Sequence, residues 1–584
     1  MANMSGGAVI ARMLKAEGVE VAFGIVDGSY LGLCAGLRDQ EIALVTPRHE
    51  TCGCHMAGNY ARLSGKLGVV LASNGPGVAN VLSGVAVEQE EGNRVLLLTS
   101  CRRVGIHYPN RGATFQSFNQ VGVIKQMSKW SEAVPSFDRI AELMRKALKK
   151  CWEGRPGVVH LDIPENILNG KDEAPPFWEP HQYRRTEPLY PNPADVKKAA
   201  RMLADARLPL IHAGGGVIHA GAFEELKVVA ELLHAPVTTS WSGRSCFSED
   251  HPLSWPMVQV KPNNEVRNAA DLVLCLGARL GETDWWGKAP YWAQPQDQKM
   301  IQVDLDDEVL GRIRPIEVGV QADIKVFLRL LADELDSLKS TMPIKAREDE
   351  VKRLAEGRTK DRLSLDSKLE DRATPMLTAH IGRTCQEVLE KDAVVVFDGG
   401  NTSVWGQFYY QATTPNSVLA THHMGHLGAG VGQAIGAAIA RPDKQVVCII
   451  GDGAFGMHPQ EIETAVRHDL HNIVFIVAAD KQWGMVKMTQ SIAFKPLKMM
   501  LKKQLPDEDT INSGFGEIEY DQLALAMGGH GERVADPNEL AAALKRCLAS
   551  DKPSVIHADV DSKKHLWAPA LLHFKAMHQE PKGK

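Results

Sequence analysis

The stretch Gln445-Val446-Val447-Cys448-Ile449-Ile450-Gly451-Asp452-Gly453-Ala454 decides how this chain is read. Residues 445–450 have the length and β-branched content of a buried strand, and a helical pattern opens near residues 459–461. The Gly-Asp-Gly turn therefore sits at a strand's carboxyl end. Glycines there let backbone N–H groups approach a phosphate, while Asp452 offers a hard oxygen to a divalent cation bridging to that phosphate. A second apolar run, 473–478, reads as the neighbouring strand and leads into Ala479-Asp480-Lys481-Gln482-Trp483-Gly484-Met485. Asp480 follows Asp452 by 28 residues, so two strand ends are expected to clamp one metal. A lone Gly-Asp-Gly is also an ordinary tight turn, and the rest of the chain has to decide.

Strand-like runs alternate with helical patterns throughout, the mark of parallel sheets covered by helices on both faces. With 584 residues the chain is too long for one core, and an α/β protein of three doubly wound parallel-sheet domains is expected. Runs at 19–26, 42–46, 68–72 and 94–99 belong to a first domain, 1–168, followed by a proline- and charge-rich linker, 169–193. Runs at 209–213, 236–239, 272–276 and 299–303 belong to a second, 194–340. A charged helical linker, 341–374, leads to a third domain, 375–560, which holds Gly-Asp-Gly, and a tail, 561–584, ends the chain.

A hydrophobic share of 44% and a charged share of 23% are those of a globular protein in water. A net charge of −5 supplies no basic field for nucleic acid. The apolar runs are strand-sized and residues 1–7 are short and polar, so neither a membrane span nor a secretory signal is expected. Ten cysteines without paired zinc spacing are read as reduced thiols of a cytoplasmic protein. Cys52 and Cys54 bracket Gly53, and a redox or metal role for them ranks below plain burial.

Three further segments narrow the reading. Thr46-Pro47-Arg48-His49-Glu50 is followed by Met56-Ala57-Gly58-Asn59-Tyr60-Ala61-Arg62 and by Ser73-Asn74-Gly75-Pro76-Gly77-Val78-Ala79-Asn80. Residues 394–397 read as a strand ending in Asp398-Gly399-Gly400-Asn401-Thr402. Thr421-His422-His423-Met424-Gly425-His426-Leu427-Gly428 opens a small-residue helix. In this order the segments resemble the thiamine diphosphate-dependent superfamily of acetolactate synthases, 2-oxo acid decarboxylases and sulfoacetaldehyde acetyltransferases. That family's motif closes on paired asparagines about 30 residues after Gly-Asp-Gly; here the pair is Ala479-Asp480. The first asparagine is missing, the second is replaced by another oxygen donor, and one extra residue falls in the turn Leu470-His471-Asn472.

The resemblance implies a pyrimidine-binding first domain, a middle domain and a diphosphate-binding third domain. It places Glu50 on the glutamate that shares a proton with the aminopyrimidine ring, so that the 4′-amino group can remove the thiazolium C2 proton. Asn401, Thr402, Gly451, Asp452, Gly453, Ala454, Gln482, Gly484 and Met485 then line the cofactor, with the Gly425 carbonyl accepting from the 4′-amino group. Leu427 wedges the two rings into a bend. Mg2+ is held by Asp452, Asp480 and the Gln482 carbonyl. The family joins glutamate and metal site across subunits, implying a homodimer or homotetramer. The middle domain holds FAD or ADP in some relatives and nothing in others; Gly214-Gly215-Gly216 and Gly277-Ala278-Arg279-Leu280 leave this open.

The expected activity is decarboxylation of a 2-oxo acid and transfer of its acyl fragment, as in acetolactate synthase, with the pair Phe115-Gln116 making Gln116 the substrate contact. Trp483 and Met485 are read as pocket wall. Thr489 stands where biosynthetic acetolactate synthases carry tryptophan, which also admits a sulfoacetaldehyde acetyltransferase-like enzyme, an oxalyl-CoA or 2-hydroxyacyl-CoA lyase, or a catalytically silent regulatory relative. Asp27, Tyr30 and the histidines 49, 107, 422, 423 and 426 are secondary candidates for proton transfer. The tail is either a lid or a frayed end. Residues 495–503 mix lysines with apolar side chains, an amphipathic helix or a contact for an anionic substrate.

Overall fold

The computed structural model describes residues 3–502 and 506–576. The last eight residues of the tail, 577–584, and Lys503 of the lysine-rich segment lie outside them.

Eighteen of the twenty strands build three six-stranded sheets in which every pairing is parallel. Beyond β1 (Asn3–Ser5), the first sheet contains β2 (Val21–Gly24), β3 (Ala43–Val45), β4 (Gly68–Ala72), β5 (Val95–Cys101), β6 (Trp130–Ala133) and β7 (Val158–Pro164). After β8 (Lys171–Glu173), the second contains β9 (Pro209–Ala213), β10 (Val237–Thr239), β11 (Ser254–Trp255), β12 (Leu272–Leu276), β13 (Lys299–Asp304) and β14 (Val318–Gln321). The third contains β15 (Val394–Asp398), β16 (Val418–Ala420), β17 (Val446–Gly451), β18 (Ile473–Ala479), β19 (His530–Val534) and β20 (Ser554–Asp559). The central strands β17 and β18 are buried along their whole length, which is why they read as uninterrupted apolar runs.

The first and third sheets share one topology, β3-β2-β4-β5-β7-β6 and β16-β15-β17-β18-β20-β19, while the second runs β11-β10-β9-β12-β13-β14. In each, the chain winds outward from one central strand, returns, and leaves in the other direction. The resulting switch points, β2/β4, β9/β12 and β15/β17, are the crevices where open α/β sheets bind ligands. The glycine-rich turns singled out in the sequence all follow strands that flank them.

Helices from the first and third sheets pack into a shared core. Helix Glu50–Ser64 lies along helix Ala429–Ala440 so closely that a Cβ at Gly432 would sit 2.9 Å from the Cys52 carbonyl and one at Gly436 2.3 Å from that of Met56. This contact explains the small residues of the later helix. Across the same boundary, the Arg48 N–H donates to both Glu461 carboxylate oxygens at 3.0 and 3.1 Å.

The linker expected over 169–193 is not irregular throughout. Its β8 pairs antiparallel with β1, tying the chain's start to the end of the first sheet; strands this short and polar carry no apolar signal. Helix Ile344–Asp366 forms the charged connector, anchored by buried Arg347, which donates to the carbonyls of Leu203, Ala204, Ala206 and Leu233.

Candidate active site

The third sheet's switch point gathers one cluster. Buried Asp398 ends β15 and accepts from the N–H groups of Gly399 and, at 2.8 Å, Gly430, fixing the start of helix Ala429–Ala440. Gly399 has φ +85°, and a Cβ on it would lie 2.9 Å from the Gly451 nitrogen. The turns after β15 and β17 thus approach backbone to backbone. Asn401 and Thr402 open the following helix and are both buried.

Asp452 is held by its own turn. Oδ1 accepts from Gly453 N–H at 2.8 Å and Oδ2 from Lys481 N–H at 2.7 Å, so the turn after β18 reaches back to that after β17. Asp480 accepts from Gln482 Nε2 at 3.0 Å, which also donates to the Ser562 carbonyl at 2.8 Å. Burial drives both carboxyls up, each to about 7, and for Asp452 the neighbouring Asp480 charge adds to the effect. Both polar atoms of the Asn401 side chain are buried without a partner. A Cβ at Gly484 would lie 3.1 Å from Asn401 Nδ2 and from Asp480 Oδ2, placing these three residues around one space.

Two buried acids that resist ionisation side by side, beside an unmet amide, form an oxygen-rich set that a small divalent cation with attached phosphate oxygens would satisfy. The residues present therefore fit a magnesium diphosphate group. The Gln482 carbonyl accepts from Gly484 N–H at 2.9 Å, leaving a second lone pair. A Cβ at Gly400 would meet the Met485 side chain at 3.2 Å and one at Gly453 the Trp483 ring at 2.7 Å, so both side chains form walls.

His565, in the tail that the sequence left as either a lid or a frayed end, completes this cluster. Its Nε2 lies 3.8 Å from Asp480 Oδ2, its Nδ1 pairs with Thr378 Oγ1 at 2.7 Å, and its carbonyl accepts from Trp405 Nε1 at 2.9 Å. Burial lowers the imidazole to about 4. Leu566 and Leu571 pack with Met488 and Met499, and His573 stands 4.6 Å from the Trp285 ring of the middle domain. Over residues 561–576 the tail covers the cluster.

A second group forms on the first sheet. Glu50 begins helix Glu50–Ser64, is buried, and accepts from Asn80 Nδ2 at 3.1 Å. A Cβ at Gly77 would lie 3.3 Å from Glu50 Oε1, so glycine keeps the carboxylate accessible to the turn after β4. At that turn Asn74 Nδ2 donates to the Gln116 carbonyl at 3.2 Å, and exposed Gln116 has φ +52°. Among the described residues, no hydrogen bond or ion pair within one chain links Glu50 or Gln116 to the Asp452 cluster.

The loop bearing Gln116 rests on a polar hub. Asp162 accepts from Thr99 Oγ1 at 2.6 Å, Gln120 Nε2 at 2.8 Å and the Tyr108 hydroxyl at 2.9 Å. Cys101 and His107 lie close enough to share an ion with it, but its oxygens are largely taken by these donors. Between the two clusters runs the turn Thr421–Gly428: Gly425 has φ +58°, its N–H donates to the Thr421 carbonyl at 2.9 Å, and Leu427 packs against the shared core.

The secondary candidates are accounted for by packing. Asp27 accepts from Ser29, and Tyr30 donates to the Ile25 carbonyl. Burial lowers His107, His422, His423 and His426, leaving them neutral near pH 7. The Cys52 and Cys54 thiols are buried and pushed far up, so they are inert. All ten cysteines are unbridged.

Sequence profiles agree with this geometry. Residues 4–123 match the thiamine pyrophosphate enzyme N-terminal TPP binding domain, 196–331 the central domain and 398–558 the C-terminal TPP binding domain. A probable acetolactate synthase large subunit of Methanococcus aeolicus is 29% identical over 96% of this chain and 92% of its own length. The acetolactate synthase isozyme 2 large subunit of Escherichia coli is 27% identical over 97% of each. A sulfoacetaldehyde acetyltransferase of Alcaligenes xylosoxydans is likewise 29% identical, over 94% of this chain and 90% of its own length.

Proposed function

Because this chain belongs to the thiamine pyrophosphate enzyme family, we propose that it decarboxylates a 2-oxo acid and transfers the acyl fragment to an acceptor, using thiamine diphosphate held through Mg2+. The observation carrying this reading is the buried pair Asp452 and Asp480 beside the unmet amide of Asn401, at a sheet's switch point.

Asp452, Asp480 and the Gln482 carbonyl would hold the cation, and Asn401 and Thr402 the diphosphate. When bound, the cofactor supplies a nucleophilic thiazolium carbon and an electron sink for the bond cleaved next to a carbonyl. Glu50, buried and braced by Asn80, would exchange a proton with the aminopyrimidine ring. The Gly425 carbonyl would accept from the amino group, Leu427 would pack against the rings, and Met485, Trp483 and the tail would exclude water. Gln116, exposed at the first sheet's switch point, contacts the substrate.

Glu50 and Asp452 then act on one cofactor from two subunits. Mixing Glu50→Gln with Asp452→Asn chains would raise activity well above that of either variant alone; no recovery would reject a shared site. A panel of pyruvate and other 2-oxo acids, assayed for acetolactate, aldehyde and acetyl phosphate on protein loaded with cofactor and Mg2+, tests the reaction. Acetyl phosphate from sulfoacetaldehyde would instead support the acetyltransferase reading, which the equal similarity to that enzyme and Thr489 favour.

A cavity of about 1440 Å³ lies between the first and middle domains, at the β9/β12 switch point, with Arg155, Arg184 and Arg279 on its wall. Its wall carries carboxylates as well, among them Glu90, Asp304 and Asp306, and its volume and the glycine turns after β9 and β12 support FAD or ADP as the proposed ligand class; the visible absorbance of the purified protein separates the two. Among the described residues no helix is long and apolar enough to cross a membrane. The ten unbridged cysteines accord with a cytoplasmic location.

A further inference from the structure

Glu91 closes helix Pro76–Glu91 of the first domain and is buried. Its Oε1 accepts two N–H groups from the third domain, that of His423 at 2.7 Å and that of Met424 at 3.1 Å. Both belong to the turn Thr421–Gly428 and immediately precede Gly425. A buried carboxyl oxygen accepting from two adjacent loop donors restrains the backbone there more firmly than water could, because the bonds are shielded from solvent. Among the described residues, the Gly425 N–H to Thr421 carbonyl bond, that from Thr421 Oγ1 to the His426 carbonyl at 3.3 Å and the Gly428 N–H facing Asp398 add to this restraint.

We propose that Glu91 is a positioning residue that sets the Thr421–Gly428 turn, and with it the Gly425 carbonyl and the Leu427 side chain, for the cofactor. The assignment of those two groups rests on the function proposed above, whereas the clamp itself does not. Glu91 and His423 also face the cavity between the first and middle domains, so the turn and that cavity share a wall.

Amide hydrogen exchange on the full chain without cofactor tests the clamp directly. In Glu91→Ala the His423 and Met424 amides should exchange about tenfold or more faster than in the natural chain, while Glu91→Gln, which keeps an acceptor oxygen, should stay within about threefold. Unchanged exchange in Glu91→Ala overturns the proposal. On protein saturated with thiamine diphosphate and Mg2+, Glu91→Ala should lose turnover by about tenfold or more at an unaltered substrate KM, with recovery in Glu91→Gln. Faster exchange with unaltered turnover and cofactor affinity would also overturn it, because the turn would then not matter to the site. Failure of the natural chain to bind the cofactor would instead reject the proposed function, and the exchange result would still decide the clamp. If Glu91→Ala does not fold, Glu91→Lys, which donates rather than accepts, must give accelerated exchange confined to the turn.

Discussion

Gly451 stands directly opposite Ala478 in the pairing of β17 with β18, so Asp452 and Asp480 leave adjacent strands at the same edge of the sheet. Their carboxyls are forced together by backbone geometry rather than drawn together by any attraction. Burial raises both to about 7 from the usual carboxylate value of 3.8. An acid whose folded pKa is raised stabilises the fold fully below its unfolded pKa and loses that contribution as pH rises through the folded value. The cation-free protein should therefore lose stability between about pH 4 and pH 7, and a divalent cation should restore it. In thermal unfolding, the Mg2+-induced rise in Tm is expected to be small at pH 5.5 and to grow until about pH 8. Apparent affinity should fall roughly tenfold per pH unit below about 7 where one proton competes. Asp452→Asn should abolish this dependence.

Replacing Glu50 separates binding from chemistry. Glu50→Gln keeps the shape and the acceptor for Asn80 Nδ2 but cannot exchange a proton with the cofactor. Turnover should fall by about 10²–10⁴. Calorimetric affinity for thiamine diphosphate should change by less than about tenfold, since the phosphate and cation contacts lie elsewhere. Full retention of turnover would remove Glu50 from the mechanism.

The central strands were legible because parallel sheets buried on both faces leave continuous apolar runs, as at 209–213 and 272–276, which match β9 and β12 residue for residue. Nine strands, β1, β6, β7, β8, β11, β14, β16, β19 and β20, had no run assigned to them, and three show why. β19 carries His530, Glu532 and Arg533 on an edge, β14 alternates buried with exposed residues, and β7 follows a glycine-proline stretch that hides its start. The turns bearing Asp452, Asp480 and Glu50 were visible because their chemistry is local. His565 and Glu91 were not, since each acts across more than 80 residues on a backbone or carboxylate that sequence spacing cannot bring near.

Gly484 tests how tightly the cation space is built. An alanine there would place its Cβ 3.1 Å from both Asn401 Nδ2 and Asp480 Oδ2, so these groups must yield by a few tenths of an ångström. The fold should survive, because helix Gly484–Phe494 accepts alanine without strain at its start. Mg2+ affinity should weaken about tenfold, and the apparent KM for thiamine diphosphate should rise with it. Titration of apoprotein with Mg2+ at fixed cofactor measures the first, and initial rates measure the second.

His565 is the remaining test, because it decides whether the tail belongs to the site or merely lies on it. The neutral imidazole stands 3.8 Å from Asp480 Oδ2 and, carrying no charge near pH 7, bears on the two carboxyls by keeping water from them. In His565→Ala, water reaching Asp452 and Asp480 should let them ionise at lower pH, so the midpoint of the Mg2+-induced Tm rise should move downward. Loss of the Thr378 partner should also lower stability by about 1–3 kcal/mol, read from denaturant unfolding. A chain ending at residue 560 should show both effects more strongly, since it also removes the Ser562 carbonyl from Gln482 and the Leu566 contact with Met488. If His565→Ala lowers stability yet leaves the midpoint where it was, the tail is a brace for the fold and has no electrostatic part in holding the cation.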